Sequence, residues 1–223
     1  MQLSGSTASW RFRQKDSQFL HLALFARDAA GLVIEPAARI PPRLTASVGR
    51  REGIDAGQRA VAATQWVAWW DRLLAYAVDD AKRSEDEGGY EVMERLRLMT
   101  ERQARAFDPP EFQSLASTPE LQRIVVATFQ EGPEWLNHAR PEAQQAKPAE
   151  SFAFEVVREA AERVAEERGF PLGDLRAVVH VLDVEGIWSY LPAPGCALCS
   201  MSAAADANAA RLLLSEAFAS ASS

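Results

Sequence analysis

Residues 176–191 read RAVVHVLDVEGIWSYL, and the reading of this stretch decides the fold class. β-Branched residues dominate a near-continuous apolar run up to Val184, which is the pattern of a strand covered on both faces. Glu185-Gly186 supplies a tight turn into residues 187–191, so the stretch is expected as a β-hairpin. Downstream, Pro192-Ala193-Pro194-Gly195 reads as a loop, followed by Cys196-Ala197-Leu198-Cys199-Ser200 and a small-residue helix over about 202–218.

Upstream the period changes to that of helices. Residues 151–168 turn Phe152, Val156, Val157, Ala160, Ala161 and Val164 inward and stop at Gly169, a natural C-cap. Residues 117–120, Ser-Thr-Pro-Glu, announce another helix with a hydroxyl N-cap and proline at its first position, running to about residue 130. Gly132-Pro133 breaks it, and Glu134 to His138 restarts as a short helix. A helix over residues 90–107 buries Val92, Met93, Leu96, Met99 and Phe107, and its outer face offers Glu91 with Arg95, Arg97 with Glu101 and Glu101 with Arg105 as (i, i+4) pairs. Residues 140–150 form a polar connection.

The clearest helical pattern lies after Ile54. At 100° per residue, Ala62, Trp66, Trp69, Trp70, Leu73, Leu74 and Ala77 fall in one arc, with Thr64, Asp71, Arg72 and Asp79 opposite. At the N-terminal end, Phe19, Leu20, Leu22, Leu24 and Phe25 fit a largely buried strand, returning through Leu32 to Ile34 after a turn at residues 28–31. Pro36, Pro41 and Pro42 then exclude regular structure. Both ends of the chain are small and polar and are expected to fray.

The expected fold is therefore α+β and helix-dominant, with four or five helices packed on a small, mainly antiparallel sheet built from residues 19–25 and the 176–191 hairpin. The chain reads as a single domain over 1–223. Within it lie an N-terminal strand and loop segment (1–50), a helical segment (54–169) and a hairpin plus C-terminal helix (170–223).

Length and composition agree with one globular core. The chain has 223 residues, 48% of them hydrophobic and 25% charged, with a mean hydropathy of -0.19, which separates it from disordered and membrane classes. A formal charge of -7, with no basic run of five residues, disfavours nucleic acid as a partner. Arginines outnumber lysines 21 to 3, and there are 40 alanines, a usage expected of a GC-rich, bacterial genome. No apolar run approaches the roughly 18 residues that span a bilayer, and residues 19–26 lack the flanks of a signal peptide, so a cytoplasmic protein without a membrane partner is expected. The sequence sets no oligomeric state.

Cys196 and Cys199 form the one recognisable catalytic or metal spacing. Just before a helix, a Cys-x-x-Cys can have its first thiolate stabilised by the helix N-terminus, with the second thiol resolving. The alternative is that two small, readily buried residues pack between a hairpin and the last helix. The same pair with His180 could make part of a zinc site, His138 or Asp183 completing it, although typical structural zinc sites show two spaced ligand pairs and this chain has one. No cofactor is expected apart from that zinc. His180 alternates with Val178 and Leu182, the position of a core histidine as well as of a general base.

Glu155, Glu159, Glu162 and Glu166 make an acidic stripe, suited to a basic partner or to solvent. Trp66, Trp69 and Trp70 could line an apolar ligand pocket or fill the core. Phosphate-binding loops, dinucleotide fingerprints, nucleophile elbows and zincin motifs are absent from the chain. The leading expectation is a non-catalytic protein that binds a protein partner, in an adaptor, inhibitor or immunity-like role. The alternatives are a thiol redox enzyme or sensor or a metal-binding protein using Cys196 and Cys199, and a small-molecule binder with a tryptophan-lined pocket.

Overall fold

The computed structural model describes residues 2–3, 10–83, 92–139 and 151–221. Its contacts divide the chain into two compact units: Met1–Ser17, Ala37–Thr45 and Pro141–Ser223 form the first, Gln18–Pro36 and Ala46–Arg140 the second. The fold is α+β and helix-dominant, as expected.

The first unit holds the sheet. Its strands are β1 (Gln2–Leu3), β2 (Arg11–Asp16), β3 (Arg176–Leu182), β4 (Ser189–Ala193) and β5 (Cys196–Ser200), in the spatial order β1-β2-β3-β5-β4. The apolar run is a central strand, buried from Ala177 to Leu182. The expected 176–191 hairpin is corrected: β4 pairs antiparallel with β5, and β5 lies between it and β3. The tight turn falls instead at Pro194-Gly195, where Gly195 adopts φ +72°. After β3, Val184 forms an isolated antiparallel bridge with Leu44, and the chain reverses through the bend at residues 185–187 to a strand that lies beyond β5 and not beside β3. The sheet is mixed and not mainly antiparallel, since β2 with β3 and β3 with β5 run parallel while β1 with β2 and β4 with β5 run antiparallel.

One face of this sheet presents Phe12, Ala177, Val179, Val181, Ala197 and Cys199 to two helices, α6 (Phe154–Arg168) and α8 (Ala207–Ala221). All six inward positions assigned to residues 151–168 are buried, and α6 stops at Gly169 as expected. Gln14 and Ser151 exchange two hydrogen bonds of 3.2 Å, fixing the entry to α6 against β2. The expected helix over 202–218 is two helices, α7 (Met201–Ala205) and α8. Asp206 lies extended between them, and its carboxylate accepts from the amides of Asn208 and Ala209 at 3.0 and 2.8 Å, which gives α8 its N-cap.

The second unit is made of helices. Residues 19–25, expected as a strand, are instead the first half of α1 (Gln18–Ala30). Residues 20–27 are all buried, so no exposed face interrupts the apolar run, and a helix hidden all round has lost the 3.6-residue period that would mark it. The return strand through Leu32 to Ile34 is absent as well. Gly31, at φ +63°, donates to the carbonyl of Asp28 and Leu32 donates to that of Arg27, at 3.0 Å each, the paired bonds of a Schellman helix stop.

Helix α2 (Ala56–Arg83) begins with a reciprocal box. The amide of Asp55 donates to Gln58 Oε1 at 3.0 Å, and the amide of Gln58 to Asp55 Oδ1 at 2.9 Å. Its arc from Ala62 to Ala77 is buried as read. Helix α3 (Val92–Ala106) follows the expected span; Tyr90, the Glu91 to Arg95 pair, and the side chains of Val92, Met93, Leu96 and Met99 lie outside the described residues, as do residues 140–150. Helix α4 (Pro119–Phe129) starts with proline as expected, but the Thr118 hydroxyl donates back to the Leu115 carbonyl at 3.0 Å rather than capping the helix. Helix α5 (Gly132–Ala139) includes the Gly-Pro pair that was expected to precede it, because proline is tolerated in a first turn. No described helix is long and apolar enough to cross a membrane.

Candidate functional site

Strand geometry separates the residues of the cysteine motif. Side chains alternate along β5, so positions three apart point to opposite faces. Cys196 stands beside Val178 in the register, and Cys199 beside Val181. Cys199 joins the core under α6 and α8, whereas Cys196 lies on the other face with Leu198 and its register neighbour His180. Both cysteines are buried and no disulfide joins them. Burial pushes the Cys199 thiol up to about 12, the reverse of the shift that makes a thiol reactive. Cys196, Cys199 and His180 therefore do not converge on one point. Among the described residues no group of three histidine, cysteine or acidic side chains is placed to hold a metal ion.

His180 is fully buried, and its Nδ1 is hydrogen-bonded to the hydroxyl of Ser17. Ser17 follows β2 directly, and Lys15 of β2 is the register partner of His180. This buried pair ties the end of β2 to the middle of β3. Sequence reading missed it because 163 positions separate the two residues; the only local signal is a serine standing between a strand and a helix. His138 is exposed, and its Nδ1 lies 2.7 Å from the Glu134 carbonyl oxygen one turn earlier.

The tryptophan arc is interior. Trp66, Trp69 and Trp70 have no accessible surface. The indole N–H of Trp66 donates to the Ala23 carbonyl and that of Trp69 to the Ala106 carbonyl, both at 2.9 Å. Trp66 and Trp70 stack at 5.2 Å, and the Arg27 guanidinium lies 5.5 Å from the centre of the Trp66 ring. A cavity of about 10 Å³ lies beside Trp69, Phe107, Phe112 and Thr128, on the scale of one water.

On the surface of α6, Glu155, Glu162 and Glu166 are exposed. Glu162 accepts from Arg158 at 2.9 Å, and Glu159 from Arg211 at 3.2 Å. Exposed pairs of this kind contribute about 0–1 kcal/mol each.

The remaining feature is the end of the sheet. β4 is terminal in the strand order, and residues 186–195, GIWSYLPAPG, carry no charge. Ile187 is 66% exposed, while Trp188, Tyr190 and Leu191 are half-buried. Trp188 anchors the segment: its indole donates to the Ala38 carbonyl at 3.1 Å, and its backbone N–H and carbonyl both bond Ser200, at 3.1 and 2.9 Å. Natural edges are commonly blunted by charge, proline or a bulge. Here Pro192 and the irregular register between Tyr190 and Ala193 blunt the far half of β4, leaving Ser189 and Tyr190, with Ile187 in the bend and Trp188 leading into them, as the accessible stretch. The position of this edge was invisible while the 176–191 stretch read as a hairpin.

No family model, no curated protein and no solved structure matches the chain.

Proposed function

We propose that this chain acts by binding another protein, without catalysis of its own, in an adaptor, inhibitor or immunity-like role, and that the partner is basic and adds an extended segment along β4. The observation that carries this reading is the uncharged terminal strand with Ile187 standing 66% exposed in the bend two residues before it. Main-chain hydrogen bonds to a sheet edge supply affinity, and flanking apolar side chains supply specificity. The formal charge of -7 favours approach by a basic protein.

The other readings draw less support. A thiol enzyme or sensor would need Cys196 and Cys199 to meet, and they occupy opposite faces of β5. A binder using Trp66, Trp69 and Trp70 would need the core to open around a cavity of about 10 Å³.

The test is capture from the native host at low salt with three baits: the unaltered chain, Ile187→Asp, and Leu212→Asp, which alters a somewhat more exposed apolar residue on α8. A partner held by the unaltered and Leu212→Asp baits, lost by Ile187→Asp and weakened at about 0.5 M salt is expected. Capture indifferent to Ile187→Asp, or no partner on any bait, overturns the proposal.

A further inference from the structure

No further inference is drawn: the strongest candidate, the buried hydrogen bond between Ser17 at the end of β2 and His180 in the middle of β3, closes inside the core with neither side chain open to a substrate, and it carries nothing beyond the strand tie already described.

Discussion

Cys199 illustrates how a residue that looks reactive in sequence becomes inert through its neighbours. Its thiol faces the apolar layer between the sheet and α6 with α8, and burial raises its pKa from 9.0 to about 12. Below about pH 9 both folded and unfolded chains keep the proton, so the stabilisation is fully present. Above it the unfolded chain releases a proton that the folded chain retains, and stability falls by about 1.4 kcal/mol per pH unit until the folded thiol also ionises. Urea unfolding from pH 8 to 10.5 should show the unaltered chain losing stability relative to Cys199→Ala with that slope. Parallel pH profiles would mean that the thiol ionises equally in both states. Nothing in the Cys-x-x-Cys spacing announces this behaviour, because the same spacing at a helix N-terminus would lower the pKa and in a strand it separates the sulfurs.

At the scale of elements, helix ends were more legible than helix identity. The stop at Gly169 and the proline start at Pro119 depend on local backbone chemistry and stand where the sequence put them. The identity of α1 did not, because its burial on every side erased the amphipathic period. Gly31 is the residue that ends this helix; Gly31→Ala should destabilise the chain by about 1–2 kcal/mol, since an L side chain is strained at φ +63°, and its Cβ would meet Arg50 Nε at 2.8 Å. Thermal unfolding of that variant beside Gly173→Ala, whose Cβ enters open space outside the left-handed region, separates the strain from a general glycine effect. Asp206 does for α8 what Gly31 does for α1, in reverse. Removing its carboxylate in Asp206→Ala should cost about 1 kcal/mol, while Asp206→Asn, which keeps an accepting oxygen, should cost clearly less in the same denaturant titration.

At the scale of the whole molecule, the binding reading makes a separable prediction. Ile187→Asp alters a residue that is 66% exposed, so its unfolding free energy should stay within about 0.5 kcal/mol of the unaltered chain even as partner capture is lost. A variant that loses both would place Ile187 in the fold rather than at a docking edge. The three consecutive segments read from the sequence do not coincide with the two compact units, because residues 37–45 return to the sheet-bearing unit between two stretches of the helical one. The sequence by itself determined the helix-dominant α+β class, the buried face of α2, the inner face of α6 and the strand at residues 176–182, since each rests on periodicity or turn chemistry within a few neighbouring residues. Only the tertiary structure decided that residues 19–25 are helical, that β5 comes between β3 and β4, that the two cysteines face apart and that Ser17 meets His180. Those outcomes depend on what buries each surface and which strand lies beside which, and contacts between residues far apart in the chain leave no local period to read.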